Sequence, residues 1–236
     1  MALLRARLEA VARDNFVRVF GVADMEEAQK AVPALFDRVG ARFRRAIVMG
    51  IPLSPAALEG IVDRPTPLYF HTYRQLNYQL DTAALAVTAA LLDEGHRSLA
   101  IAASQVINHT PPQGHISSRH AGAAAGIGWI GRSGLLVTPR YGARVRLVTV
   151  LTDAPLVAAQ EMPFSCGKCA ACVKVCPAKA IAGRPEDFNL DLCYSKLTEF
   201  TRIPFVGQHI CGVCVKACGP DNAGRAVDTD GNPAKD

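Results

Sequence analysis

The sequence predicts a layered α/β or α+β core followed by a small cysteine-rich segment. Helical and strand patterns alternate along the first 165 residues, as they do in layered folds that pack helices against a sheet. All eight cysteines lie between Cys166 and Cys218, so they belong to one segment of the chain. A chain of 236 residues is long enough for one well-buried domain and a second, smaller one.

The first predicted elements follow from the spacing of apolar residues. Residues 1–14 carry charges inside an apolar stretch, which indicates an amphipathic helix and not a signal peptide. Residues 16–23 and 44–53 are short apolar runs and predict strands. After residue 65, apolar residues recur at three- and four-residue steps, which predicts one long helix that ends at Gly95.

Three further strands and two helices are predicted downstream. The apolar runs at 98–104, 134–139 and 144–152 predict the strands. The alanine-rich residues 117–126 predict a helix, and residues 178–181 predict a second, short one. No apolar run reaches about 18 residues, so we expect neither a membrane span nor a membrane partner.

The cysteines follow the spacing of bacterial ferredoxins that bind two 4Fe-4S clusters. The first group reads Cys-x2-Cys-x2-Cys-x3-Cys-Pro, and the second repeats it with a long insertion. A cubane needs one thiolate on each iron, and in the two-cluster pattern the fourth cysteine of a group reaches the other cluster. The first cluster is therefore assigned Cys166, Cys169, Cys172 and Cys218, and the second Cys176, Cys193, Cys211 and Cys214.

Two other uses of the cysteines are less consistent with the sequence. Disulfides fit poorly because no export signal is visible and cytosolic thiols stay reduced. Zinc sites use Cys-x2-Cys pairs but do not require the full run that ends at Pro177. Oxygen-sensitive clusters predict a cytoplasmic protein. Two such clusters carry a total charge of about −4. This nearly offsets the formal net charge of +5 and removes most of the case for nucleic-acid binding.

Residues 126–131 spell Gly-x-Gly-x-x-Gly, the pattern of a dinucleotide-binding loop. Such a loop lies between a strand and a helix, with an acid about 20 residues further on that holds the ribose. Here the predicted helix comes first and the strand follows, and only Asp153 has the spacing of that acid. The sequence therefore disfavours NAD as a ligand.

The stretch between Gly95 and Thr152 contains no Asp or Glu but holds four histidines: His96, His109, His115 and His120. Such a stretch suits a ligand that bears amides, carbonyls or phosphate. Zinc binding by the last three histidines is not favoured, because their spacing does not place them on one helical face.

Residues 125–156, followed closely by the cysteine run 166–181, resemble the epoxyqueuosine reductase family. Its members carry an A-G-[LI]-G-W-[IL]-G segment, a strand pair ending T-D-x-P-L and a double-cluster ferredoxin module. The similarity covers about residues 44–220. The resemblance implies a cobalamin-dependent redox enzyme with a nitroreductase-like, corrinoid-binding domain at 1–160, a bacterial-ferredoxin-like domain at 161–220 and a flexible tail at 221–236.

The resemblance also implies where the corrinoid lies. Seven residues of the glycine-rich segment would pack near it: Gly126, Gly128, Trp129, Ile130, Gly131, Ser133 and Leu135. In the family an Asp donates a proton about fifteen residues before this segment, where this chain has Pro111, Pro112 and Gln113. The candidates for that catalytic role are then His115, His120 and Tyr141.

The expected function is that of an iron-sulfur oxidoreductase. It would pass low-potential electrons through two clusters to a bound cobalamin, or to a substrate on it. Expected partners are an electron donor such as a flavodoxin or ferredoxin, and a corrinoid or corrinoid protein. A tRNA partner is not expected, because family members use a helical-repeat region after the clusters to hold tRNA, and this chain ends in a Gly-, Pro- and Asp-rich tail.

Three alternatives remain open. The chain could be a ferredoxin-type electron-transfer protein with a docking domain. It could also be an epoxyqueuosine reductase that modifies tRNA together with a second chain. A flavin could replace the corrinoid in the nitroreductase-like pocket.

Overall fold

The computed structural model describes residues 2–31, 42–109, 112–223 and 227–228. Pro111 and much of the predicted tail therefore lie outside the described residues. Contacts divide the chain into two compact units. The first comprises Met1–Ile51, Gln75–Gly128 and Arg146–Met162, and the second Pro52–Arg74, Trp129–Val145 and Pro163–Asp236. Each unit thus joins separated stretches of chain, whereas the sequence predicts a division near residue 160.

The fold is mixed α/β. The helices are α1 (Ala2–Asp14), α2 (Met25–Ala31), α3 (Pro55–Glu59), α4 (Pro67–Asp93), α5 (Ser118–Ala124), α6 (Ala171–Val175), α7 (Leu190–Phe200), α8 (Val213–Ala217) and α9 (Pro220–Ala223). The strands are β1 (Val19–Asp24), β2 (Arg45–Pro52), β3 (Ser98–Ile101), β4 (Asn108–His109), β5 (Pro112–Gln113), β6 (Trp129–Ile130), β7 (Leu136–Val137), β8 (Val145–Thr152), β9 (Phe164–Ser165) and β10 (Val227–Asp228). Among the helices of the described segments, none is long and apolar enough to cross a membrane.

A four-stranded sheet with the order β1-β2-β8-β3 forms the centre of the first unit. Strands β1 and β2 are antiparallel, and so are β3 and β8. The interior position of β2 explains its nearly continuous apolar sequence, because six of its eight residues are buried. Arg45 lies opposite Asp24 in the register, and their side chains form an ion pair of 2.6 Å.

The core of the first unit lies between this sheet and the apolar faces of α1 and α4. The predicted periodicity of α4 is confirmed, since Leu80, Ala84, Val87 and Leu91 are all buried there. Gly95 ends the helix region at φ +79°, a conformation that glycine adopts without strain. Helix α1 and the strands at 16–23 and 44–53 are confirmed within one to three residues, and α5 confirms the alanine-rich helix.

The second unit is built from shorter elements. Its described helices include α6 and α8 of five residues each, and its strand pairs β6-β7 and β9-β10 have two residues per strand. A small apolar cluster is formed by Trp129, Val137 and Ala143, with half-buried Phe164 against it. The predicted strand 134–139 is reduced to β7, and in the first unit 98–104 is reduced to β3.

One expectation differs from the structure of this unit. Residues 178–181 do not form a helix: Lys179 has φ +51°, and the Ala180 amide donates to Cys176 Sγ at 3.4 Å. The amide that would extend a helix is thus used by a thiol. Within the predicted flexible tail, the described residues form α9, which extends to Ala223, and β10, which pairs with β9; its flexibility stays a prediction.

Candidate iron-sulfur centre

The four cysteines assigned to the first cluster are neighbours in the second unit. Cys166 and Cys169 lie on the loop before α6, where the Cys169 amide donates to Cys166 O at 2.9 Å and closes a tight turn. Burial raises the pKa of the Cys172 thiol in α6 to about 11, and three neighbouring thiols act in the same direction: Cys218, Cys166 and Cys169. Burial likewise raises the pKa of Cys218 to about 11, with added repulsion from Cys166 and Cys169.

The other four cysteines form a second neighbourhood. Burial raises the pKa of Cys211 to about 11, and the thiols of Cys193 and Cys176 contribute. Burial also raises the pKa of Cys214 well above its usual range, followed by the thiols of Cys211 and Cys193. Cys172 acts on Cys214 as well, so the two groups lie near each other. In each group, the cysteine most distant in sequence, Cys218 in the first and Cys176 in the second, thus lies near the other three.

These neighbourhoods suit iron-sulfur clusters chemically. Thiols with raised pKa values stay protonated until a metal displaces the proton, so metal binding at these cysteines would release protons and depend on pH. Within the described ranges, no three His, Cys, Asp or Glu side chains are grouped for a single metal ion. In a cubane each thiolate binds a different iron, whereas the ligands of one zinc ion all lie within about 2.3 Å of the same atom.

The glycine-rich segment is divided between the two units. Gly126 and Gly128 belong to the first unit, and the residues from Trp129 onward belong to the second. Gly126 has φ +65°, and a Cβ there would lie 2.5 Å from Gln160 O. Glycine at position 126 is therefore required by the backbone of the first unit itself, without reference to any ligand.

The second part of the segment lies beside the first cysteine group. Trp129 pairs with Val137 across β6 and β7, is only 5% exposed, and packs in one apolar cluster with Cys166 and Cys218. A Cβ at Gly131 would lie 2.6 Å from Val137 Cγ2 and 3.3 Å from Cys166 Sγ. Of the remaining predicted residues, Ile130 and Leu135 are half-buried and Ser133 is buried.

The three candidate proton donors are distributed over both units. His115 and His120 belong to the first, and Tyr141 to the second; all three are half-buried. Burial, with help from the charge of Arg119, lowers the pKa of His120 to about 4. His120 Nδ1 lies 2.7 Å from Ser117 Oγ. Its ring is therefore neutral near pH 7, where it holds no extra proton to donate and is a weak base.

Two arginines that the sequence does not single out lie near the first cysteine group. Arg132 Nη2 donates to Gly167 O at 2.6 Å, directly after Cys166. Arg144 Nη2 donates to Lys216 O at 2.5 Å, and its charge lowers the pKa of the Cys218 thiol against the effect of burial. The only signal in the sequence was the presence of both arginines in the acid-free stretch.

A tight turn also supports Cys218. Gly142 has φ +59°, and a Cβ there would lie 2.2 Å from Cys218 O. The next residue, Ala143, donates its amide to the same carbonyl at 3.0 Å. The turn at residues 138–142 thus fixes the backbone of the cysteine that is most distant in sequence from its group.

Comparisons with known proteins agree on one group of enzymes. No family model matches the chain. An epoxyqueuosine reductase from Listeria monocytogenes is 37% identical over 86 residues, which cover 36% of this chain and 22% of that protein. The tetrachloroethene reductive dehalogenase of Sulfurospirillum multivorans is 32% identical over 108 residues, or 40% of this chain and 21% of that protein. The chain thus aligns with about a fifth of the length of these relatives.

Solved structures show the same fold. The catabolic reductive dehalogenase NpRdhA superposes with a TM-score of 0.70 at 18% identity, covering 89% of this chain and 31% of that chain. An epoxyqueuosine reductase in complex with an epoxyqueuosine-modified tRNA stem loop superposes with a TM-score of 0.59 at 19% identity, covering 99% and 69%. At these identities the likeness establishes the fold, and the activity has to be argued from the site.

Proposed function

We propose that this chain, whose relatives and fold support an epoxyqueuosine reductase-like family, is a reductase with two 4Fe-4S clusters that delivers electrons to a corrinoid or to a substrate on it. The relatives are reductases, which supports an oxidoreductase. The observation that carries the proposal is the arrangement of eight cysteines as two neighbouring groups of four. Bound clusters would supply low-potential electrons, one at a time.

The protein's own residues would hold the clusters and keep water away from them. Trp129, Val137 and Phe164 form an apolar wall against Cys166 and Cys218. Such a wall lowers the local dielectric, which is one way in which proteins tune a cluster. On the second group, backbone amides approach the sulfurs of Cys176 and Cys211, which stabilises thiolates as ligands.

A corrinoid is proposed from the resemblance and from one adjacency in the second unit. Trp129 and Gly131 lie against Cys166, so a macrocycle bound along this part of the segment would be close to the first cluster. Gly126 and Gly128 are proposed as further contacts, although Gly126 also has a purely structural role. His115 or Tyr141 would supply the proton, whereas His120 is neutral because of its low pKa and has no extra proton to donate near pH 7.

The test is anaerobic reconstitution with iron and sulfide, followed by a titration with cobalamin. We expect about eight irons per chain, a visible spectrum that bleaches on reduction, and retention of about one equivalent of cobalamin through gel filtration. Iron without cobalamin binding would instead identify an electron-transfer protein. That alternative is credible because all eight cysteines lie within the second unit.

A separate binding experiment tests whether the chain binds tRNA. The related reductase structure contains a tRNA stem loop. We propose that this chain, in contrast, acts without tRNA. We also propose that it works in a reducing compartment such as the cytoplasm and receives electrons from a flavodoxin or ferredoxin. A mobility shift with tRNA at low salt should show no binding. Binding that weakens steeply with salt would overturn this part of the proposal.

A further inference from the structure

Three buried N-H donors around the first cysteine group have no hydrogen-bond acceptor in the part of the chain that the structure describes. They are Trp129 Nε1, Arg132 Nε and Arg144 Nε. The two other buried polar atoms without a described partner, Thr88 Oγ1 and Gln105 Oε1, are oxygens and belong to the first unit. A buried donor without an acceptor is destabilising, so each one calls for an explanation, such as a ligand that brings the acceptor.

Trp129 is fixed in this position by the packing of its ring. Its ring meets that of Phe164 edge to face, with 5.9 Å between centroids, and the same apolar cluster includes Cys166 and Cys218. Val137 and Ala143 complete the surroundings, and neither side chain offers an acceptor. The polar atoms that a cluster would add to this region are sulfurs, which accept N-H hydrogen bonds.

The two arginines are anchored to the backbone on both sides of the group. Arg132 holds the peptide after Cys166 through its bond to Gly167 O. Arg144 holds α8 through Lys216 O, and a Cβ at Gly219 would lie 2.6 Å from its Cζ. Each guanidinium therefore uses one nitrogen to position a cysteine-bearing segment and keeps a buried Nε-H that no described acceptor receives.

The second cysteine group has a different electrostatic environment. The hydrogen bonds described for its sulfurs come from backbone amides, at Cys176 and Cys211. The charged side chain that acts on Cys211 is Asp63, which raises its pKa. The first group thus has two half-buried arginines beside it, whereas the charged side chain described at the second is a carboxylate that is paired with Arg64.

We infer that Trp129, Arg132 and Arg144 form a donor shell that hydrogen-bonds sulfurs of the first cluster and raises its reduction potential above that of the second. The inference rests on the proposed function. Reduction adds one negative charge to a cluster, and N-H donors and positive charges stabilise the reduced form. An electron that enters either cluster would therefore settle on the first, beside Trp129 and Gly131.

The test is an anaerobic redox titration of the reconstituted full chain, followed by electron paramagnetic resonance. The wild type should show two reduction waves. Two variants remove a donor: Trp129→Phe, which keeps an aromatic ring but has no N-H, and Arg144→Gln. Both should shift the higher wave to lower potential and leave the lower wave in place. Arg144→Lys should lower the potential of the higher wave less than Arg144→Gln does, because lysine retains the positive charge. Lys174→Gln, an equal loss of charge on the exposed face of α6, should shift neither wave.

The inference is overturned if the higher wave stays in place in both Trp129→Phe and Arg144→Gln, or if the lower wave shifts instead. A wild-type protein that binds no iron would refute the proposed function. That outcome differs from a failure of the inference alone, in which both clusters form but the expected shift of the higher wave is missing. Because loss of the cluster in a variant would abolish the signal, a measurement on the wild type supplements the variants. Electron-nuclear double resonance after transfer to D2O should detect exchangeable protons coupled to the higher-potential cluster, and their absence would also overturn the inference.

Discussion

The first unit buries one continuous apolar core, whereas the second combines buried apolar side chains, such as Leu58, Ile61 and Val206, with eight cysteines. In the first, α1 and α4 cover a four-stranded sheet and share a continuous buried core. In the second, the eleven-residue helix α7 has no buried residue, and the local apolar cluster contains three buried side chains. Helices of five to eleven residues are marginal without tertiary packing.

The comparison indicates what the cysteines contribute to the stability of the second unit. Each of the short helices α6, α7 and α8 carries one cysteine: Cys172, Cys193 and Cys214. Metal ligands at these positions would join the helices and add to the apolar packing of the unit, as metals do in other small domains. The clusters would then stabilise the second unit as well as transfer electrons.

Removal of iron should have the largest effect on the second unit and little effect on the first. Chelation under reducing conditions should abolish slow amide exchange in α6, α7 and α8, a loss of about 3 kcal/mol or more of local stability. Exchange in α1 and in the strand β2 should change little, because their core contains no cysteine. Hydrogen exchange with mass spectrometry measures both units in one sample. Equal acceleration in both units would show that the first unit also depends on the metal.

A pair of glycine variants tests how closely the second unit is packed around Cys218. Gly142 and Gly207 both have a positive φ, at +59° and +54°. A Cβ at position 142 would collide with Cys218 O, whereas nothing lies within 4 Å of one at position 207. We expect Gly142→Ala to cost roughly 3 kcal/mol and Gly207→Ala about 1 kcal/mol in urea unfolding. Equal costs would mean that backbone strain alone matters at both positions.

The two parts of the glycine-rich segment should respond differently to substitution. Gly126→Ala should lower the free energy of unfolding of the first unit by roughly 2 kcal/mol, through its positive φ and the contact with Gln160 O. The reconstituted variant should keep its full iron content. Gly131→Ala should instead accelerate iron loss, because its Cβ crowds Val137 and Cys166. If both variants lost iron at the same rate, the segment would act as one binding element.

The smallest expected effect is the titration of His120 in the first unit. Its pKa is lowered from 6.5 to about 4 in the folded protein, so the unfolded chain takes up the proton first as the pH falls. Stability from this group is complete above pH 6.5 and is lost as the pH falls toward 4, by on the order of 1 to 2 kcal/mol. His120→Gln should flatten the pH dependence of urea unfolding in this range. An unchanged slope would contradict the assigned burial.

The sequence predicted the elements whose pattern is local and left out those that depend on distant contacts. The periodicity of α4 and the apolar run of β2 were sufficient, because each is decided by burial along one element. The predicted helix at 178–181 was wrong because the Ala180 amide bonds to Cys176 Sγ. Neither the backbone contact of Gly126 nor the anchoring of Arg144 on α8 leaves a signal in the neighbouring sequence, since both partners are distant in the chain.

The interleaved assignment of the cysteines is tested most directly by iron content in two double variants. Cys166→Ala with Cys218→Ala removes two ligands of one proposed cluster, and Cys166→Ala with Cys176→Ala removes one ligand from each. From about eight irons in the wild type, we expect the first variant to retain about four irons with an intact 4Fe-4S spectrum, and the second to retain no intact cluster. The opposite outcome, with about four irons kept only in the Cys166 and Cys176 variant, would contradict the interleaved arrangement.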